Sequence, residues 1–214
     1  MFKFWPWYEA NRKRLVIAGV AVVVVAFVWF YISTQRQQAA VDAGQAYTQF
    51  QLNMPPAQTP AQLADGYLQI AKKYKGTLAA QRAQLEAAAV LFGGGSYMQA
   101  QAQFQDFLTA ESGSSLAVAA RMGVAASLEA QGKLDEALAA YRAVVSGSPE
   151  STEAVAAKFA QGRVLELQGK LSEAVSFYEQ AGKSPLAGSL ASQAAQRIAL
   201  IQVKLPAAKP AVKP

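Results

Sequence analysis

The chain has 214 residues, 52% of them hydrophobic, which is enough to bury a real core and too apolar for disorder throughout. It contains neither cysteine nor histidine, which excludes disulfides, thiol nucleophiles, a lipidated N-terminal cysteine, imidazole bases and the zinc clusters these residues build. The formal charge of +6 resides at the ends: residues 1–32 carry +3, the segment from Lys204 onward carries +3, and residues 33–203 balance to zero, so the body of the chain has no cationic excess for a nucleic acid.

Leu15 to Ile32 (LVIAGVAVVVVAFVWFYI) is an apolar run without one charged residue. As a helix it extends about 27 Å, close to the hydrocarbon thickness of a bilayer. Trp5, Trp7 and Tyr8 precede it and Trp29 and Tyr31 close it, as amphipathic rings do at headgroup level. The run is longer than the apolar stretch of a signal peptide, and the only tolerable cleavage pattern, Val41-Asp42-Ala43, lies well past its end. The expectation is an uncleaved transmembrane anchor over 15–32. Lys3, Arg12, Lys13 and Arg14 precede it and only Arg36 closely follows. That asymmetry predicts a cytoplasmic segment 1–14 and a chain from Ser33 onward on the far side, which in a Gram-negative bacterium is the periplasm.

Between the anchor and Asn53-Met54-Pro55-Pro56, the residues Ala39, Ala43, Ala46, Tyr47 and Phe50 recur at helical spacing. A membrane-proximal helix and Pro-rich loop are therefore expected over 33–58. Thr59-Pro60-Ala61-Gln62 then supplies an N-cap, a proline at the first helical position and a capping-box glutamine.

Over 59–203 the sequence repeats itself. GSYMQAQAQF from Gly95, GKLDEALAAY from Gly132 and GKLSEAVSFY from Gly169 are 37 residues apart, carrying Ala100, Ala137 and Ala174 and then Phe104, Tyr141 and Tyr178 in register. One further step back lands on Tyr67, a weaker fourth copy. Ahead of each glycine run the small columns Ala83, Ala120, Ala157, Ala194 and Ala88, Ala125, Gly162, Ala199. Small side chains let helices approach, a turn glycine separates them, and the unit reads as a helix hairpin stacked on its neighbours. The helix from about Gly188 to Val203 has no partner after it and reads as a cap, and the Lys/Pro tail 204–214 reads as disordered.

These residues resemble the tetratricopeptide family: a small residue, a glycine seven on, alanine five after that and an aromatic four further. The period of 37 exceeds the family's usual 34, and Gln84, Arg121 and Lys158 stand where the family carries a bulky aromatic. The fold class expected is all-α, a single transmembrane helix followed by a hairpin solenoid. The resemblance implies a concave peptide groove reaching Leu85, Met122 and Phe159, with Arg82, Phe92, Glu129, Arg163 and Glu166 nearby. As an apolar stripe at helical spacing, Leu85, Met122 and Phe159 equally fit a buried core.

Other chemistry finds little support. Gly93-Gly94-Gly95-Ser96 lacks the Lys-Ser/Thr of a phosphate loop, and Asp135-Glu136 are adjacent acids at a helix start, where the dipole favours them. A non-catalytic protein with no cofactor or metal is expected, its partners being proteins and a lipid bilayer rather than nucleic acid. The layout as a whole resembles the bacterial ancillary SecYEG translocon subunit family, which implies a periplasmic domain associating with the translocon and with periplasmic chaperones. A tethered scaffold for envelope assembly or cell division, and an enzyme regulator, are the alternatives. Self-association stays open, since the anchor has no Gly-x-x-x-Gly face.

Overall fold

A computed structural model of the chain describes residues 4–54 and 58–204. Among the described residues the regular structure is entirely helical, in nine helices: α1 (Phe4–Leu52), α2 (Pro60–Lys73), α3 (Leu78–Gly93), α4 (Tyr97–Ala110), α5 (Ala117–Ala130), α6 (Leu134–Gly147), α7 (Thr152–Leu167), α8 (Leu171–Gly182) and α9 (Leu190–Lys204).

Local chemistry sets their ends. Thr59 and Gln62 form the expected capping box, the Gln62 N–H donating to Thr59 Oγ1 at 3.3 Å and the Thr59 N–H to Gln62 Oε1 at 3.0 Å. Thr77 and Ser151 cap α3 and α7 by the side-chain half of that motif alone, Oγ1 and Oγ accepting from the Ala80 and Ala154 N–H at 3.1 and 3.0 Å. Ser114 stands midway between these two in the 37-residue step but does not cap α5. Its hydroxyl donates instead to Gln81 Oε1 across to α3, at 2.8 Å. Gly95, Gly132 and Gly169 end α3, α5 and α7 with φ of 79°, 75° and 75°. The residue after each glycine donates its N–H five residues back, Ser96 to Leu91, Lys133 to Leu128 and Lys170 to Leu165, which satisfies carbonyls the helix leaves open.

Each hairpin packs on the next. The first helices of successive hairpins, α1, α3, α5, α7 and α9, touch one another, whereas α2, α4, α6 and α8 touch only first helices. The array therefore curves with its first helices on the inner face. Ala88, Ala125 and Gly162 are fully or nearly fully buried, as are Ala100, Ala137 and Ala174, and Phe104, Tyr141 and Tyr178 fill the space they leave. A Cβ on Gly162 would come 2.9 Å from the Tyr178 ring, and one on Gly123 2.5 Å from Phe104. Small columns are thus the condition for the aromatic columns to be inside.

Ala199 corrects the sequence expectation. It shares the column of Ala88, Ala125 and Gly162 but is exposed, because no helix follows α9 among the described residues. The same face changes character elsewhere: buried Val155, Phe159 and Leu165 of α7 become exposed Ser192, Gln196 and Gln202 of α9. A polar outer face is what a terminal helix of a stacked array requires.

At the other end, α1 runs unbroken for 49 residues. Its apolar window has a mean hydropathy of 2.8 with none of it buried, so it is long and apolar enough to cross a membrane and is unlike a helix that fills a core. Trp29 and Tyr31 are exposed on it. The Trp5 and Trp7 side chains, and the Lys/Pro tail beyond Lys204, lie outside the described residues. The far end of α1 joins the array as its first helix: Ala43 is completely buried, and Phe50 meets the Tyr67 ring edge-on at 4.9 Å.

Candidate functional site

The inner face carries most of the residues singled out as groove candidates, and the structure divides them. Phe159 is in the core at 9% exposure, its ring 5.0 Å from that of Tyr178. This corrects its placement in an open groove. Leu85 and Met122 are half-buried and pack on the margins of the two core clusters. Phe92 is half-buried against Tyr97, ring centroids 5.3 Å apart, and Arg82 is exposed.

The charged candidates are brought together with each other. Arg163 of α7 grips Glu129 of α5 bidentately, Nε to Oε1 at 2.6 Å and Nη2 to Oε2 at 2.7 Å, and the Tyr141 hydroxyl of α6 donates to the same Oε2 at 2.8 Å. The Glu129 side chain is only 11% exposed against 41% for Arg163, so the carboxylate is the group that depends on its partners. A second seam lies one hairpin on: the Tyr178 hydroxyl donates to Glu166 at 3.1 Å, and Arg197 of α9 lies 3.6 Å from that carboxylate.

The electrostatics follow from this geometry. Burial first, and then the Glu129 charge, hold the Tyr141 phenol well above its usual range. Tyr178 is pushed up to about 12, again by burial first and then by its hydrogen bond to Glu166. The hydrogen bond to Glu129 raises Arg163 above the ordinary guanidinium value. These groups keep a fixed charge across the physiological range, which suits an interlock and not proton transfer.

The hairpin before lacks the seam altogether. Stepping back 37 residues from Glu129, Tyr141 and Arg163 reaches Phe92, Phe104 and Ala126, so all three polar members are replaced together by apolar ones. Arg82, Glu86 and Ala89 of α3 are exposed beside half-buried Leu85. The inner face is therefore accessible and mixed at α3, and closed by its own charges from α5 to α9. Arg197 and Ala126 were not evident as members of this pattern from turn glycines and aromatics. The 37-residue step applied to charged residues would have exposed the replacement, although Arg197 would still have escaped because it follows Glu166 by 31 residues where Arg163 follows Glu129 by 34.

Gln84 lines a groove of about 300 Å³ between α2 and α4, with Leu68, Ala71 and Ala80 as its apolar part. Of the other candidate chemistry, Gly95 is a helix-ending turn, and a Cβ on Gly94 would meet Pro60 at 2.5 Å. Asp135 accepts from Gln168 at 2.9 Å, at the start of α6.

Helical arrays of this kind occur in solved structures. The type III secretion translocator chaperone SycD of Yersinia enterocolitica is similar at a TM-score of 0.52 and 19% identity, over 61% of this chain and 97% of that one. The nearly identical TPR-like repeats of a Podosopora anserina kinesin light chain are similar at a TM-score of 0.50 and 15% identity, over 79% and 95% of the two chains. At such identities the likeness is one of fold. No curated protein sequence matches the chain. From residue 6 to residue 209, through α1 and every hairpin, it matches and belongs to the Tetratricopeptide repeat-like domain family.

Proposed function

We propose that the protein is a non-catalytic, single-anchor membrane protein whose array binds segments of other proteins, and that it serves as an ancillary translocon-associated factor between protein export and periplasmic chaperones. The observation that carries the reading is the double role of α1, whose apolar, unburied stretch is continuous with the first helix of the array. A binding surface is thereby held at a membrane. The family match includes the apolar helix, which supports treating anchor and array as one inherited unit. Four basic residues before the apolar run against Arg36 close behind it support a cytoplasmic N-terminus and a periplasmic array at the inner membrane. The accessible inner face at α3, with Arg82, Leu85, Glu86 and Phe92, is the part free to read a partner.

Photo-crosslinking in living cells tests this, with the reactive side chain replacing Arg82 in the full-length chain. Adducts with translocon subunits or periplasmic chaperones are the expected products. Adducts confined to envelope-assembly or division proteins would move the protein to the scaffold reading. Protease added to spheroplasts should digest the array and spare the N-terminus, and protection of residues beyond Ser33 would reverse the orientation.

A further inference from the structure

The continuity of α1 fixes which end of the array looks toward the bilayer. α2 returns antiparallel to α1: Phe50 meets Gly66 and Tyr67, while Ala46, further down α1, shares a cleft with Ile70, Lys73 and Tyr74. α3 then runs alongside α1, Tyr47 of α1 and Leu85 of α3 packing against the same core cluster. The α2–α3 turn consequently sits level with about residue 42 of α1, about 15 Å beyond Ile32 at about 1.5 Å per residue. The headgroup layer covers roughly 5–8 Å of that distance, a Debye length is about 8–10 Å, and a snorkelling lysine stem spans the remainder.

This turn differs from its counterparts. In the 37-residue register it reads KKYKGT at 72–77, against TAESGS at 109–114, SGSPES at 146–151 and KSPLAG at 183–188. Only the turn nearest the anchor carries three cations. Lys72, Lys73 and Lys75 are all exposed, and none joins an ion pair among the described residues. Lys73 Nζ lies 5.0 Å over the Tyr74 ring, and exposed Arg36 on α1 adds a cation closer to the bilayer. Asp42 shares this height, and Asp106 and Glu111 line the groove that Lys72 and Lys75 border. The field is thus that of a local lysine cluster, not of a uniformly basic edge.

We propose that this lysine turn rests on anionic lipid headgroups of the leaflet from which α1 emerges, so that the array is held along the membrane surface. The proposal rests on the anchor reading above and assigns the turn a ligand of its own. Juxtamembrane lysines are drawn to anionic lipid with a strength that adds per residue and falls with salt.

The chain has no cysteine, so Leu78→Cys at the start of α3, 51% exposed, gives one attachment point for a fluorophore beside the turn. Met98→Cys, 74% exposed in the first turn of α4, reports from the opposite end of the hairpin. The full chain is reconstituted into phosphatidylcholine vesicles, or into about three parts phosphatidylcholine to one part phosphatidylglycerol, each with a headgroup quencher. Anionic lipid should raise quenching at position 78 roughly twofold and leave position 98 unchanged. High salt, or Lys72→Gln, Lys73→Gln and Lys75→Gln together, should remove the rise, and Lys75→Glu alone should reduce it should the triple variant fold poorly. Equal quenching in both vesicles, or a rise that survives the lysine changes, overturns the proposal and leaves the anchor standing. A chain that carbonate extracts from both vesicles overturns the anchor reading, and this proposal with it.

Discussion

The hairpin around Phe92, Phe104 and Ala126 and the one around Glu129, Tyr141 and Arg163 occupy the same register and solve one packing problem in two ways. The first fills it with apolar groups. The second buries a carboxylate and surrounds it with a phenol and a guanidinium drawn from three successive helices. A polar trio of this sort costs desolvation and is stable only when complete, which is why it is kept or replaced as a set. The functional corollary is that charges read as ligand contacts in the second half are already spent on neighbours, while the first half keeps Arg82 and Glu86 available.

The largest expected difference between the halves comes from their apolar inner residues. Phe159→Ser should cost about 3–5 kcal/mol through lost burial and a cavity, whereas Leu85→Ser, at the margin of its cluster, should cost about 1–2 kcal/mol. Thermal unfolding of the full chain in detergent reads both. A stable Phe159→Ser variant would return that residue to the groove. Next in size is Arg163→Ala, which leaves Glu129 nearly buried without its ion-pair partner. About 2–3 kcal/mol is expected, toward the lower end for a broken buried pair because Arg163 itself is 41% exposed. Adding Glu129→Phe and Tyr141→Phe should restore much of the loss, since that recreates the trio of the preceding hairpin.

Ala125→Leu should destabilise by about 1–3 kcal/mol as an overpacking change, while Ala199→Leu in the same column should stay within about 0.5 kcal/mol. Equal effects at the two positions would mean that α9 is covered in solution. The smallest effect is alkaline. A phenol whose pKa is raised in the folded state contributes stability that is complete below its unfolded value near 10 and is lost as pH rises through about 12 for Tyr178. Tyrosinate absorbance should lose one high-pH step in Tyr178→Phe, and the variant's stability should fall less steeply over that window.

Much of the architecture was legible in the sequence because close packing demands small residues and turns demand glycine, and both recur at a fixed step. Gly95, Gly132 and Gly169 marked the turns, and Ala100, Ala137 and Ala174 the approach of the helices. The site was less legible. Periodicity places Leu85, Met122 and Phe159 on one face but does not say what covers it, and Phe159 is covered because Gly162 admits the Tyr178 ring beside it. Carry-over from the family put Glu129, Arg163 and Glu166 on the inner face without revealing that they face each other. Ala199 looked like its column mates because a column records what a helix can accept, not whether a neighbour arrives.

Partners are expected to be read at the half of the array nearest the apolar stretch of α1. Photo-reactive residues placed one at a time at Ala89 on α3 and at Leu167 on α7, both exposed, compare the two halves in the same cells. Strong protein adducts from position 89 and few from position 167 are the expected result. Adducts mainly from position 167 would place partner binding on the second half instead.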